Sequence, residues 1–429
     1  MPAFPEGLTL GGTMTGSASM PRSAGSVVST AVIFAIAVAA LGYFVDVFDI
    51  LLFSVVRVSS LRELGVPATE QLGTGLTLLS IQNAGLMIGG ILFGIYGDWA
   101  GRRSVLFGSI LLYSFANLVN ATVHSVPAYA ACRFIAGLGL AGELGAGVTL
   151  VSELMPTRMR GYGTAIIASV GLAGGLVAPW VGTTLPWRSA YVVGGVAGLV
   201  LLALRLAVHE SPLFRSLEKT SVPRGNLLLL LGSRDRVWRY VRAFLTGLPI
   251  WYAIGILISL APEVGKGLGL GAPLSVAPAL FNMYVGFVIG DISSGLLSQA
   301  LRSRRKVMLL YQVLLGATVW AMLGWHGLSP KGFYALCVPL GIGSGYWVLF
   351  VTASAEQFGT NLRATVATSL SNLVRGSIIP IAAAFHALVP SIGLRGSAGI
   401  LGIVCVGIAI AAVLGTPETF DRDLDYLEN

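Results

Sequence analysis

Twelve apolar runs alternate with short polar segments along almost the whole chain. They fall at about residues 30–56, 72–96, 104–124, 127–151, 162–184, 188–207, 238–262, 274–300, 306–325, 331–352, 365–388 and 394–415. About 20 apolar residues suffice for a helix to cross the hydrocarbon core of a bilayer. The pattern therefore predicts an all-α polytopic membrane protein with twelve transmembrane helices, which we number span 1 to span 12.

The polar segments divide the chain into two halves of six spans each. Residues 1–28 are rich in Gly, Ser, Thr and Met, which is typical of a disordered tail. The longest polar stretch, 208–237, predicts a cytoplasmic loop between an N-terminal bundle at 29–207 and a C-terminal bundle at 238–415. Residues 416–429 form an acidic C-terminal tail.

Composition and charge placement support this interpretation. The 429 residues are 55% hydrophobic and only 11% charged, whereas soluble proteins are about 25% charged. This excludes a soluble enzyme or a nucleic-acid-binding protein. Of the 27 Lys and Arg residues, 19, including Arg205, lie in segments that are cytoplasmic if both termini are cytoplasmic, and six, including Arg57, lie in external loops. This bias predicts the orientation, so the net charge of +8 reflects topology. We expect a multi-pass protein of the bacterial inner membrane that acts as a monomer in the bilayer.

The two halves carry a weak internal repeat in the same orientation. A Glu, a Thr and an Arg recur at a constant offset of 203 residues: Glu153, Thr157 and Arg160 follow span 4, and Glu356, Thr360 and Arg363 follow span 10. Parallel repeats of this kind are typical of secondary transporters built from two bundles.

The loop between spans 2 and 3 resembles a motif of the major facilitator superfamily. The pattern G-x-x-x-D-x-x-G-R-R occurs as Gly94, Asp98, Gly101, Arg102 and Arg103. The resemblance implies a conformational latch in which Asp98 pairs with arginines at the cytoplasmic face. Glu153, Arg160, Glu356 and Arg363 are assigned to the same latch. The equivalent loop after span 8 keeps its basic residues but has no acid at the matching position.

Four further stretches, at 42–49, 133–143, 187–188 and 210–214, resemble the metabolite–proton symporters of that superfamily, which are relatives of the sugar porters. The resemblance implies transport by alternating access of the two bundles. Span 7 has Trp251 and Tyr252 instead of the glutamine cluster that sugar porters use, which disfavours a sugar substrate.

Six ionisable residues lie at bilayer depth, where charges are costly and usually functional. They are Asp46, Asp49, Arg133, Glu143, Asp291 and Arg375. At 1.5 Å per residue, Asp49 and Arg133 both lie about 10 Å from the external surface, so they can form an ion pair. Such a pair predicts proton coupling through Asp49, or through Asp46 one turn earlier. The alternative is a static pair that only orients two helices.

The other three residues have two interpretations each. Glu143 lies in a glycine-rich stretch and serves either proton coupling or packing against a neighbouring helix. Asp291 and Arg375 form either a structural ion pair or part of the substrate site, with Arg375 binding a substrate carboxylate.

Polar and aromatic residues at mid-depth are predicted to line the cavity, with helix-packing hydrogen bonds as the alternative. They are Asn83, Trp251, Tyr252, Asn282, Tyr284, Tyr346, Trp347 and Asn372. The histidines are scattered and the cysteines lie in apolar runs, so the sequence predicts no metal site. It also contains no phosphate-binding loop. We therefore expect no cofactor and no enzymatic activity.

The sequence predicts a secondary transporter that imports a small polar metabolite with H+, with Na+ as an open alternative. Arg133 and Arg375 favour an organic acid, and the four buried acids leave a zwitterion open. The alternative is a proton-driven exporter of amphipathic compounds on the same fold.

Overall fold

The computed structural model of the protein describes residues 30–100, 102–143, 145, 147, 160–206, 230 and 232–420. These residues form helices joined by short turns, and no strand occurs among them. The helices are Thr30–Glu63, Gln71–Ala100, Arg102–Asn120, Val126–Leu140, Arg160–Leu172, Gly174–Thr184, Trp187–Arg205, Arg234–Tyr252, Ala261–Gly267, Val276–Ala300, Arg304–Gly324, Pro330–Ser344, Trp347–Ala355, Thr360–Gly376 and Ile378–Leu414, and a π-helical segment covers Ala253–Ile258.

The predicted number of spans is confirmed. Nine helical stretches among the described residues are long and apolar enough to cross a membrane, and the last of them, Thr365–Leu414, contains both span 11 and span 12. The shorter apolar helices Ser104–Asn120 and Val126–Leu140 supply spans 3 and 4. The division into two bundles at 208–237 remains a prediction, because most of that segment lies outside the described residues.

Several spans are interrupted near their middle. Span 5 breaks at Ala173, and span 10 breaks at Gly345 and Tyr346. Span 7 passes from Pro249 into the π-helical segment, as expected where a proline removes a helical hydrogen bond. Spans 11 and 12 meet at Gly393, whose φ of 71° is readily adopted only by glycine.

Span 1 is longer than the sequence predicted. The apolar pattern ends at residue 56, but the helix continues to Glu63. Leu61 is fully buried, and the Glu63 carboxylate accepts hydrogen bonds from Trp187 Nε1 and Arg188 Nε at the start of span 6. Arg57 is therefore part of a buried helix, and its assignment to an external loop is wrong.

The same glycine-mediated contact occurs in both halves. Span 2 packs on span 4 so closely that a Cβ atom at Gly85 or Gly137 would collide with the backbone of the other helix. Span 8 packs on span 10 in the same way at Gly286 and Gly341. Small residues allow transmembrane helices to approach this closely. The repeat seen faintly in the sequence is thus also present in the helix packing.

Among the described residues, the most extensive contacts between the two halves involve two pairs of helices. Span 2 lies against span 11, where Asn372 Nδ2 also donates to the carbonyl of Ala141 in span 4 over 3.1 Å. Span 5 lies against span 8, with Gly175 facing the ring of Tyr284. Spans 1, 7, 8, 10 and 11 converge between these contacts, and the candidate site lies there.

Candidate functional site

A small cavity lies at the centre of the molecule between the two halves. Its wall consists mainly of aromatic and aliphatic side chains from spans 1, 5, 7, 8, 10 and 11: Tyr43, Val47, Ile50, Leu172, Ile250, Trp251, Ile254, Tyr284, Phe287, Trp347 and Arg375. Its volume of about 20 Å³ is enough for roughly one water molecule. A substrate therefore needs these side chains or spans to separate before it can enter.

Among the described residues of this wall, Arg375 is the only charged side chain, and it pairs with Asp46. Arg375 Nη1 lies 2.9 Å from Asp46 Oδ2, and both side chains are almost completely buried. Neither Asp46 oxygen accepts a well-directed hydrogen bond from a described residue. The guanidinium also faces the ring of Tyr43 at 6.0 Å. The pair joins span 1 of the first half to span 11 of the second.

The Asp291–Arg375 ion pair considered from the sequence is wrong. Asp291 Oδ1 instead accepts a hydrogen bond of 3.0 Å from the backbone N–H of Val348 in span 10. The depths of the two residues were compatible with pairing. However, span 8 presents Asp291 to the break in span 10, and span 11 presents Arg375 to span 1.

Asp49 and Arg133 form the ion pair that their depths suggested. Arg133 Nη1 lies 3.3 Å from Asp49 Oδ2, and both side chains are fully buried. Asn117 of span 3 completes the cluster, since its Nδ2 donates to Asp49 Oδ1 over 2.8 Å and its Oδ1 accepts from Arg133 Nη2. The guanidinium stacks over Tyr191 at 4.5 Å. Sequence reasoning missed Asn117, although an amide inside the apolar span 3 was a usable signal.

Glu143 lies in a separate cluster within the first half. Its carboxylate pairs with both Nη atoms of Arg205 at the end of span 6 and accepts from Ser109 Oγ over 2.7 Å. Arg205 Nη1 also donates to the carbonyl of Leu106 over 2.6 Å. These contacts agree with the interpretation that Glu143 packs against neighbouring helices. Arg205 was counted as a loop residue in the sequence, but it is only 2% exposed.

The remaining predicted lining residues fall into two groups. Trp251, Tyr284 and Trp347 line the cavity. Tyr252 Oη donates to the carbonyl of Ala398 in span 12, and Tyr346 Oη donates to that of Thr246 in span 7. Asn83 Nδ2 donates within span 2, to Leu79. Asn372 Nδ2 donates to Ala141, and Asn282 is half-buried outside the cavity wall. Tyr43, Val47 and Ile50 were not predicted, although they share one helical face with Asp46.

A polar contact also joins the halves near the external ends of spans 1 and 7. Arg57 Nη2 lies 2.6 Å from Glu263 Oε1, and Arg57 is 2% exposed. About one turn closer to the cavity, the hydroxyls of Ser54 and Ser259 lie 2.8 Å apart. Both contacts link the first half to the second, and both must break if the external side is to open.

Most of the predicted latch lies outside the described residues. Gly101 and Glu153 lie outside the described residues, and so do the side chains of Asp98, Arg102, Arg103, Arg160 and Arg363. Gly94 is described within span 2 and has open space around its Cα. Glu356 is described too, and it pairs with Arg304 at 3.3 Å.

The C-terminal segment places a second carboxylate, that of Glu418, against the loop after span 8. Glu418 accepts from Ser303 Oγ and from the backbone N–H groups of Arg304 and Arg305, and Thr419 Oγ1 donates to Glu356. Partial burial opposes ionisation of Glu418, but the hydrogen bonds from Ser303 and from nearby backbone N–H groups together hold its pKa below the usual value. The carboxylates of Glu418 and Glu356 thus contact the loop after span 8, which has no acidic residue of its own at the matching motif position.

No metal centre is found among the residues that the structure describes, where no three His, Cys, Asp or Glu side chains converge. The three cysteines, Cys132, Cys337 and Cys405, are buried and unpaired.

Comparison with known proteins agrees with this architecture. Residues 32–383 match the model of the Major Facilitator Superfamily. The chain is 26% identical to a putative metabolite transport protein of Haemophilus influenzae over 90% of this chain and 96% of that protein. It is also 26% identical to the 3-(3-hydroxy-phenyl)propionate transporter of Escherichia coli over 66% of this chain and 69% of that protein.

A solved structure of the proton:xylose symporter XylE superposes with a TM-score of 0.70 at 18% identity, over 93% of this chain and 98% of that one. The family model matches most of the chain. The fold and the similar proteins agree with this assignment to the family. The protein belongs to the Major Facilitator Superfamily and is a multi-pass transporter of small metabolites, not an enzyme.

Proposed function

We propose that the protein imports a small organic acid bearing a flat ring, together with protons, by alternating access. The observation that carries this proposal is the Asp46–Arg375 ion pair at the wall of the central cavity. Arg375 is the one cation that the described residues of the cavity offer to a substrate, and it is held by a carboxylate that a substrate carboxylate can replace.

The cavity wall supports a ring on the substrate. Trp251, Tyr284, Phe287 and Trp347 line the same cavity as Arg375. Planar rings pack well against such side chains, while the planar guanidinium matches a carboxylate with two parallel hydrogen bonds. The similarity to a transporter whose name specifies a hydroxyphenylpropionate supports the same class of substrate.

Proton coupling follows if the substrate carboxylate displaces Asp46 from Arg375. Asp46 would then be a buried carboxylate without a cation, which is energetically costly. Binding a proton removes that cost, so the substrate and the proton load together. When the substrate leaves on the cytoplasmic side, Asp46 releases its proton and the pair with Arg375 forms again. XylE, which shares the fold, is described as a proton symporter.

We assign the proton to Asp46 and not to Asp49 because the two carboxylates have different surroundings. Both oxygens of Asp49 are occupied, one by Asn117 and the other by Arg133. All members of that cluster belong to the first half, so it does not need to break when the halves rock. Proton transfer at Asp49, the alternative that the sequence allows, predicts a different behaviour of Asp49→Asn.

The test is uptake by purified protein in liposomes from a panel of labelled solutes. The panel pairs an aromatic carboxylate with its neutral amide, and adds an aliphatic carboxylate, a betaine and a sugar. We expect uptake of the aromatic carboxylate and none of its amide, because the amide lacks the charge that Arg375 binds. Uptake of the amide at an equal rate would contradict the role of Arg375. Binding of only bulky lipophilic compounds would favour the exporter.

A further inference from the structure

The carboxylate of Asp291 is not used by the mechanism above, yet it is buried within the second half. It is 8% exposed and pairs with no cation among the described residues. Its hydrogen bond to the N–H of Val348 spans 57 residues of sequence and connects span 8 to span 10.

Val348 lies in the first turn of a half-helix that begins inside the membrane. Span 10 stops at Ser344, and the inner segment starts at Trp347 and runs to Ala355. The first N–H groups of any helix have no partner within the helix, and in a membrane no water is available to satisfy them. Tyr346, at the start of this segment, makes no capping hydrogen bond with its side chain. Asp291 supplies the missing acceptor from another span.

The position of Asp291 is fixed by close backbone packing. Gly290 and Gly345 approach so closely that a side chain on Gly345 would meet the backbone of Gly290 and Asp291. Further out, span 8 and span 10 are held together by Gly286 and Gly341 in the same manner. The break in span 10 therefore lies directly against Asp291.

The capped turn carries a residue of the cavity wall. Trp347 directly precedes Val348 and lines the same cavity as Arg375, and its ring packs against Phe350 at 5.7 Å between centroids. The orientation of the half-helix sets where this indole lies. A change in the cap therefore changes the shape of the substrate site without touching the substrate.

We propose that Asp291 is a positioning residue that caps the inner half of span 10 and thereby fixes Trp347 in the substrate cavity. Its role is to accept a hydrogen bond, and its negative charge is not required. This inference rests on the proposed function only in assigning Trp347 to substrate binding.

The experiment compares Asp291→Asn with Asp291→Ala in purified protein. Asparagine and aspartate cap helices about equally well, whereas alanine does not cap them. We expect hydrogen–deuterium exchange in residues 347–351 to rise by roughly 2- to 30-fold in Asp291→Ala, matching the usual loss of a cap, and to change little in Asp291→Asn. This readout needs no substrate.

Transport gives the second readout. We expect Asp291→Ala to raise KM for the carboxylate several-fold with little change in kcat, and Asp291→Asn to resemble the wild type. With Trp347→Ala already present, Asp291→Ala should raise KM little further, because it acts through that indole.

Two results would overturn the inference. The first is equal impairment of Asp291→Asn and Asp291→Ala, which would mean that the charge binds a proton or a cation. The second is unchanged exchange in Asp291→Ala. Failure of the proposed function is distinguishable, because the wild type itself would then take up no carboxylate while the difference in exchange between the variants would persist.

Discussion

Arg375 of span 11 lies 2.9 Å from Asp46 of span 1, so an ion pair at the central cavity connects the two halves of the transporter. One turn further along span 1, Asp49 pairs with Arg133 inside the first half. Two neighbouring carboxylates of span 1 thus pair with two arginines, one in the second half and one in the first. If transport rocks the two halves as proposed, the Asp46–Arg375 pair must change, whereas the Asp49–Arg133 pair can stay intact.

Replacing Arg375 should remove substrate binding. A hydrogen bond to a charged group contributes about 1.5–3 kcal/mol, so we expect Arg375→Gln to raise KM for a carboxylate by roughly 10- to 150-fold. Arg375→Lys, which keeps the charge but not the planar fork, should be less impaired. Radiolabelled uptake in liposomes measures both variants.

Arg188→Gln is the matched control for Arg375→Gln. Arg188 lies at the start of span 6, pairs with the half-exposed Glu63 and is not among the residues that line the cavity. Its replacement should leave KM within about twofold of the wild type, since exposed ion pairs contribute only about 0–1 kcal/mol. An equal loss of affinity in both variants would show that the effect of Arg375→Gln is not specific to the site.

Neutralising Asp46 should separate substrate movement from proton movement. Asp46→Asn cannot carry a proton and no longer competes as an anion for Arg375. We expect it to lose accumulation against a gradient while still exchanging internal for external substrate. Counterflow and uphill uptake in the same liposomes distinguish the two activities.

Asp49→Asn tests the alternative carrier. If Asp49 carries the proton, the alternative that the sequence left open, this variant should lose uphill uptake and keep exchange. With the proton on Asp46, Asp49→Asn should accumulate substrate more slowly but still uphill, provided that its melting temperature shows it to be folded. Loss of coupling in Asp49→Asn together with normal coupling in Asp46→Asn would move the proton to Asp49.

The Glu143–Arg205 pair should matter for stability and not for coupling. Breaking a buried ion pair on one side costs about 3–5 kcal/mol, so Glu143→Gln and Arg205→Gln should each lower the melting temperature clearly. The double variant Glu143→Met/Arg205→Met, which leaves no buried charge, should recover much of the loss.

The recovered double variant decides the role of Glu143. We expect it to accumulate substrate against a gradient, because no proton passes through Glu143. A stable double variant that exchanges substrate but does not accumulate it would assign coupling to Glu143 after all.

Cross-linking the external ends of spans 1 and 7 should stop transport. The hydroxyls of Ser54 and Ser259 lie 2.8 Å apart, so a disulfide can form in Ser54→Cys/Ser259→Cys. The background should have Cys132, Cys337 and Cys405 replaced by alanine. We expect oxidation to abolish uptake and a reductant to restore it, with no effect of oxidation on either single-cysteine variant. Full uptake by the cross-linked protein would contradict opening between these spans.

The number and placement of the spans could be predicted because lipid imposes one dominant constraint. Every crossing needs a continuous apolar helix, and that requirement is written directly in the hydropathy of the chain. The Asp49–Arg133 pair was also within reach, since the depth of a residue along a helix follows from counting residues.

The partners of Arg375 and Glu143 could not be predicted from depth alone. Depth does not specify the rotation of a helix about its axis, which is set by packing against its neighbours. Asp46, Asp291 and Arg375 lie at comparable depths, and only the packed structure shows which side chains face each other. Arg57 and Arg205 were misassigned for a related reason, because a charge at the end of an apolar run reads as the start of a loop.

The measurement that tests the central claim most directly is acidification of the lumen of liposomes that contain the protein and a pH-sensitive dye. An aromatic carboxylate is added outside at zero voltage. Weak acids also cross bilayers in their neutral form, so protein-free liposomes and liposomes with Arg375→Gln set the background. We predict that the wild type acidifies the lumen clearly faster than both controls do. Asp46→Asn should acidify it only at the background rate, although this variant still exchanges the labelled solute. Saturable uptake of the carboxylate by the wild type at the background rate of acidification would contradict proton-coupled import through the Asp46–Arg375 pair.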